Sequence, residues 1–188
     1  VVRGFGGAAI MTRADHVSGT DRIAEVISAL PCRAVINLQG DEPLIEPETL
    51  DAAVKPLLQD STVEMTTISR PFISPDEFRS PHVVKVVTNS RGDALYFSRS
   101  PIPFPHEAGV PAPARAHVGL YVYRRETLLK LAGLPAAALE IVESLEQLRA
   151  LAHGIRIRVV ETKHAAAGVD TPEDLERVRQ MILVSPRS

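Results

Sequence analysis

The chain has one cysteine, no tryptophan and only eight other aromatic residues, five Phe and three Tyr, among 188 residues. With Cys32 alone no intramolecular disulfide can form, and a reducing cytoplasm is the expected compartment. No apolar run approaches the roughly 20 residues of a membrane span, and no charged-then-apolar leader opens the sequence, so no membrane partner is expected. Neither sign of charge dominates. The 21 Lys and Arg against 23 Asp and Glu leave a formal −2, which removes the basic excess that a nucleic-acid partner would call for. Gly4-Phe5-Gly6-Gly7 lacks the spacing of a dinucleotide fingerprint and the Lys-Ser/Thr ending of a Walker loop, and reads as a turn that needs a positive φ. No Ser-His-Asp or Cys-His pattern suggests a covalent nucleophile.

What is present is the material of one ordinary domain: 45% apolar residues, 23% charged, 15 Pro and 11 Gly. Strand and helix patterns alternate. Ala8-Ala9-Ile10-Met11 reads as a buried strand, residues 20–30 as a helix closed by Pro31, and Ala34 to Leu38 as a strand ended by Gly40-Asp41-Glu42-Pro43. Pro47 opens a second amphipathic helix through Leu50, Ala53, Val54, Leu57 and Leu58. This order predicts βαβ units and a largely parallel sheet. Residues 63–123 read as a strand-rich subregion inserted into that frame, with a Pro-rich connection (Pro101 to Pro113) expected to be mobile. Helix 137–153, strand 155–161 and helix 172–183, with Thr171 as N-cap and Pro172 at its first position, complete the single domain 1–188.

The chemistry-bearing residues gather at element junctions. Leu38-Gln39-Gly40-Asp41-Glu42-Pro43 follows an apolar strand, where open α/β sheets bind ligands. There Gln39 offers a donor and an acceptor, Gly40 a close backbone approach, and Asp41 a hard carboxylate suited to Mg²⁺ or, equally, to capping the turn. Asp170 stands at a second such junction, either as a metal ligand converging with Asp41 or as an acid favoured by the helix dipole. Residues 11–22 form a third, in which Ser18 and Gly19 just before a helix suit backbone contacts to a nucleotide, while N-capping alone leaves Arg13, Asp15 and His16 unexplained.

Three further features bear polar side chains. On the strand 116–123, His117, Gly119, Tyr121 and Tyr123 share one face, with a glycine gap shaped for a polar ligand. On helix 139–149, Glu140, Glu143, Glu146 and Gln147 form an acceptor face, either solvated or apt for sugar hydroxyls, opposite Ile141, Val142, Leu145 and Leu148. Arg99 at a strand end offers a fork for a carboxylate, and Lys85 reads as a charge that blunts an edge strand.

These segments together resemble the 3-deoxy-manno-octulosonate (Kdo) cytidylyltransferases. The matching strings are Met11-Thr-Arg-Ala-Asp-His-Val-Ser-Gly-Thr-Asp-Arg22, Asn37-Leu-Gln-Gly-Asp-Glu-Pro43, Val84-Lys-Val-Val87, Tyr96-Phe-Ser-Arg99 with Ile102-Pro103, His117-Val-Gly-Leu-Tyr121, Leu139-Glu-Ile-Val-Glu-Ser-Leu-Glu-Gln-Leu-Arg149 and Gly168-Val-Asp-Thr-Pro-Glu-Asp-Leu175. The resemblance implies a Rossmann-like three-layer α/β nucleotide-diphospho-sugar transferase fold with an inserted β-rich dimerisation region. It implies transfer of CMP from CTP to Kdo for lipopolysaccharide biosynthesis, in the cytoplasm, by a homodimer using Mg²⁺. Under it Asp41 and Asp170 are catalytic and hold the metal, Arg13, Ser18, Gly19 and Gln39 surround the nucleotide, and Arg99, His117, Tyr121, Glu146 and Gln147 grip the sugar. A related acid sugar (8-amino-Kdo or a sialic acid), a non-catalytic remnant, and a sugar-nucleotide glycosyltransferase are the alternatives. Family members open on a strand and a cationic Pro-Ala-Arg loop that wraps the triphosphate. The 188 residues show no such segment, so by themselves they are expected to lack the first strand and to bind CTP poorly.

Overall fold

The computed structural model describes residues 1–16, 18–106, 113–163, 168–169 and 171–184. After a short 3₁₀ turn at Val2–Phe5, closed by Gly6 at φ 83°, the order is α1 (Gly19–Ser28), β1 (Ala34–Leu38), α2 (Pro47–Gln59), β2 (Met65–Arg70) and α3 (Pro75–Arg79). It continues through β3 (Lys85–Thr88), β4 (Ala94–Ser98), β5 (Ala114–Arg124), α4 (Arg125–Ala132), α5 (Ala138–Glu143), α6 (Gln147–Ala152), β6 (Ile157–Glu161) and α7 (Pro172–Val184). The predicted turn at Gly6 is present, but the strand predicted at residues 8–11 is not. Ile10 and Met11 are exposed there, and the segment has neither a paired edge nor a covering layer among the described residues.

Helix starts follow their local chemistry. Ser18 caps α1 by accepting from the Asp21 amide at 3.2 Å, Pro47 occupies the first turn of α2, and Ser74 accepts from the Glu77 amide to start α3. Thr171 and Asp174 bond reciprocally, side chain to backbone, at the start of α7.

Six strands form one sheet in the order β4-β3-β5-β2-β6, with β1 pairing the far half of β5. The expectation of parallel strands holds for direction and fails for adjacency. β1, β2 and β6 run the same way, but β5 slots between β1 and β2, antiparallel to both, so β2–β6 is the one parallel pairing among the described strands. β5 is long enough to serve β3 with one half and β1 with the other, and the strands of the middle region thereby belong to the same sheet. Its residues alternate as predicted. Val118, Leu120 and Val122 pack with Ala53 and Leu57 of α2 on one face, while Tyr121 and Tyr123 turn to the other, where Leu128, Leu131 and Leu148 of α4 and α6 lie. Helices therefore cover both faces of a mixed α/β sheet.

The β2–β5 ladder slips once. Thr67 pairs Tyr121 but Ile68 pairs Val118, which leaves Gly119 and Leu120 without ladder partners on β2. This bulge lies at the centre of the site described next.

Candidate active site

A cavity of about 250 Å³ opens at the carboxyl ends of β1, β2 and β4. It is lined by Asp41 and Glu42 from the loop after β1, Arg70 at the end of β2, His82 to Val84 before β3, Arg99 after β4, His117 to Gly119 of β5, and Gly168. The expected ligand position beyond the strand ends is thus occupied by Asp41, Arg99 and His117 together. Arg70, His82 and Glu42 are lining residues that the sequence did not single out, although a strand ending in arginine before Pro71 is the same signal that marked Arg99.

Charge is divided across the cavity. Arg70 forms a two-pronged ion pair with Glu77, with both side chains nearly buried. Burial opposes ionisation of Glu77, yet the Arg70 bonds hold its carboxyl below the usual range. Arg99 donates Nε to the Glu143 carbonyl at 2.9 Å and Nη1 to the Pro81 carbonyl at 3.1 Å. The Glu143 carboxylate in turn accepts from the Ser98 hydroxyl at 2.6 Å and the Arg99 amide at 2.9 Å. The fork is locked in place before any ligand arrives, with donors left over. The carboxylates of Asp41 and Glu42 line the same cavity.

His117 sits between Phe97, edge-on at a ring distance of 5.1 Å, and Tyr121 at 5.4 Å, and its Nε2 lies 2.9 Å from Thr67 Oγ1. Burial holds its pKa down at about 3, so the ring is neutral at pH 7. The glycine gap beside it is filled from within, because a Cβ on Gly119 would stand 3.4 Å from Gln39 Cγ and 3.9 Å from Glu42 Oε1. Gln39 also donates to Asn37 at 3.1 Å, which fixes it over β5.

The segment before α7 meets the Asp41 loop. The Val169 amide donates to the Asp41 carbonyl at 2.8 Å, and a Cβ on Gly168 would lie 3.7 Å from Glu42 Oε1. Asp170 itself, like residues 107–112 of the Pro-rich connection, lies outside the described residues. No group of three or more Asp, Glu, His or Cys side chains placed to hold a metal ion is present among the described residues. Mg²⁺ needs none, since it commonly takes one or two carboxylates plus water and substrate phosphate, and the exposed Asp41 carboxylate fits that donor set.

The segment around α1 builds a separate, shallower cavity of about 590 Å³, lined by Arg13, Asp15, His16, Asp21, Glu25 and Ala132. Arg13 pairs loosely with Asp15 and Glu25 at 3.5 Å, His16 bonds Glu25, and Arg22 donates to the Arg13 carbonyl at 3.0 Å. The His16 bond comes first among the causes that lower the Glu25 pKa. Ser18 is committed to its cap, and a Cβ on Gly19 would meet nothing within 4 Å among the described residues. Tyr123 lies in the core next to α4 and α6. Its phenol is buried, and that burial raises its pKa and keeps it protonated.

A family model described as cytidylyltransferase matches residues 1–157. The 3-deoxy-manno-octulosonate cytidylyltransferase of Syntrophotalea carbinolica is 55% identical over 186 residues, covering 95% of this chain and 74% of the relative. The chain belongs to the 3-deoxy-manno-octulosonate cytidylyltransferase family. A solved structure of CMP:2-keto-3-deoxy-manno-octonic acid synthetase complexed with CTP superposes with a TM-score of 0.91 at 46% identity, covering 97% of this chain and 75% of that one. A putative glucose-1-phosphate thymidylyltransferase from Bacillus anthracis shares the fold alone, at a TM-score of 0.61 and 11% identity.

Two expectations for this Kdo cytidylyltransferase family member are corrected by its structure. Lys85 does not blunt an edge. β3 runs between β4 and β5, Lys85 is fully buried, and its ammonium donates to the carbonyls of Ser80 (2.8 Å), Val83 (2.7 Å) and Arg99. Burial and the neighbouring Arg99 charge lower its pKa, and Glu143 opposes them. It ties together the two cavity walls that carry His82 and Arg99. The helix expected over residues 137–153 is broken at Ser144, which takes φ 52°, so its acceptor face is not continuous. Glu140 is spent on Arg149 and Glu143 on β4, leaving Ile141 and Val142 exposed and Leu145 and Leu148 buried. Of the remaining acceptors, Gln147 is buried, and Glu146 holds a buried Oε1 with no hydrogen-bond partner among the described residues. Glu146 stands close enough to Tyr121 and Tyr123 to add to the rise that burial imposes on both phenols. Tyr121 packs behind His117, and neither it nor Glu146 and Gln147 is among the cavity-lining residues.

Proposed function

We propose that this enzyme transfers CMP from CTP to 3-deoxy-manno-octulosonate and releases pyrophosphate. The observation that carries the reading is one cavity lined by Arg70, Arg99, Asp41 and Glu42 together with a neutral His117. The guanidiniums suit the carboxylate of an acid sugar, His117 its hydroxyls, and the carboxylate side the end where nucleotide phosphates meet a cation. Gln39, Arg13, Ser18 and Gly19 place the nucleotide on the side of α1. Asp41, with Asp170, holds Mg²⁺, which when bound neutralises charge on the phosphates. The anomeric hydroxyl attacks the α-phosphorus in line, pyrophosphate leaves, and catalysis consists of positioning and electrostatics without an enzyme-bound intermediate. The relatives' names favour Kdo over 8-amino-Kdo or a sialic acid.

Exposed apolar side chains at Ile141, Val142 and Phe104 support a subunit contact in a homodimer, and the lone Cys32 supports a reducing, cytoplasmic setting. The product then serves as an activated sugar donor for lipopolysaccharide biosynthesis. Pyrophosphate release by the intact gene product, measured with CTP, Kdo and Mg²⁺, tests the reading. Turnover that requires both CTP and Kdo is expected. Turnover with a sialic acid and none with Kdo overturns it.

A further inference from the structure

The contact between Thr67 and His117 constrains where protons sit. Thr67 is fully buried in β2, and its hydroxyl meets two groups: the Leu120 carbonyl at 2.8 Å and His117 Nε2 at 2.9 Å. A threonine hydroxyl has one proton. If that proton went to Nε2, the hydroxyl oxygen and the Leu120 carbonyl oxygen would face each other at 2.8 Å with no hydrogen between them. If it goes to Leu120, both contacts are satisfied, provided His117 carries its proton on Nε2. The bulge makes this possible, because Leu120 has no ladder partner on β2.

We propose that Thr67 is a positioning residue for the acid-sugar site, locking His117 as the Nε2–H tautomer so that Nδ1 presents a lone pair to a sugar hydroxyl in the cavity. Nδ1 has no hydrogen-bond partner among the described residues and is not among the buried side-chain atoms left without one, while the ring itself lines the cavity. The Phe97 and Tyr121 rings fix the imidazole plane. Burial disfavours a second proton on the ring, which shares its cavity with Arg70, Arg99, Asp41 and Glu42. A carboxylate or phosphate offers only acceptors, so this nitrogen repels it, whereas a hydroxyl can donate to it. The cavity is thereby sorted: guanidiniums take the carboxylate, and Nδ1 takes a hydroxyl. The inference rests on the acid-sugar reading above.

The test is nitrogen-15 NMR of the histidine rings in the intact protein, assigned with His117→Gln, first ligand-free and then titrated with Kdo. A protonated Nε2 and a bare Nδ1, with Nδ1 shifting as Kdo is added, are the expected result. Thr67→Val should release the tautomer and raise KM for Kdo by about tenfold, the scale of one lost hydrogen bond, with KM for CTP within about twofold. Thr67→Ser, which keeps the hydroxyl, should restore both readouts. A ligand-free ring protonated on Nδ1, or an Nδ1 signal indifferent to Kdo in an enzyme that turns Kdo over, overturns the inference and leaves the functional reading standing. Absence of Kdo-dependent turnover in the unaltered protein is the separate failure of that reading.

Discussion

The two candidate regions differ in how their side chains are held. Around β5, side chains at the cavity and beside it are anchored by hydrogen bonds: Arg99 through Glu143 and Pro81, His117 through Thr67, and Gln39 through Asn37. Around α1, Arg13 is 69% exposed at its side chain and is held by ion pairs of 3.5 Å with Asp15 and Glu25. Exposed pairs of that kind contribute roughly 0–1 kcal/mol. The β5 side is therefore preorganised, and the α1 side is shaped chiefly by the α1 cap. Binding energy on the first side need not be spent on ordering side chains, and on the second it must be.

Four substitutions and one pH measurement sharpen or break this contrast. The largest expected effect is at Asp41, which is exposed and contributes little to folding. Asp41→Asn should lower kcat by roughly 10²–10⁴-fold, as for loss of a group placed against developing phosphate charge, with an unchanged Tm. Lys85→Met should act on the fold of the preorganised wall. Leaving the Ser80, Val83 and Arg99 carbonyls without their donor should cost about 2–4 kcal/mol in urea unfolding. An unchanged unfolding midpoint would show that the wall does not depend on the staple.

Arg99→Lys keeps the charge and removes the fork, so KM for Kdo should rise about tenfold or more while KM for CTP stays put. The neutral ring of His117 adds a pH dependence. Its folded pKa of about 3 lies below the unfolded value near 6.5, so the stability it contributes is complete above the unfolded value and is lost as pH falls toward the folded one. The unaltered protein should lose up to about 2 kcal/mol more than His117→Gln between pH 7 and about pH 4.5 in denaturant titrations. Smallest is Arg13→Ala, for which a rise in KM for CTP below about tenfold and a stability change within about 0.5 kcal/mol are expected. A loss of several kcal/mol there would show that the α1 side is as rigidly built as the β5 side.

Legibility in the sequence followed the same division. The β1 strand, the caps of α1 and α7, and the alternation along β5 were readable because each depends on residues within a few positions of one another. Glu140 and Glu143 were read as one polar face because helical spacing places them there. The positive φ at Ser144 and the pull of Arg149 and Ser98 gave each a different partner. Lys85 was misread for a similar reason. A lysine in an apolar strand looks like an edge charge unless its strand is known to lie between two others, with the Ser80, Val83 and Arg99 carbonyls around the ammonium.

By itself the sequence determined the alternating elements, the junctions where the polar side chains gather, and, through its ordered motifs, the family. Only the tertiary structure decided that β5 would pass between β1 and β2, and that the bulge at Gly119 and Leu120 would put Thr67 against His117. It also decided that Arg70 and Arg99 would share one cavity with Asp41. Local propensities act over a few residues, whereas strand adjacency and buried hydrogen bonds join positions tens of residues apart, through packing that no local pattern encodes.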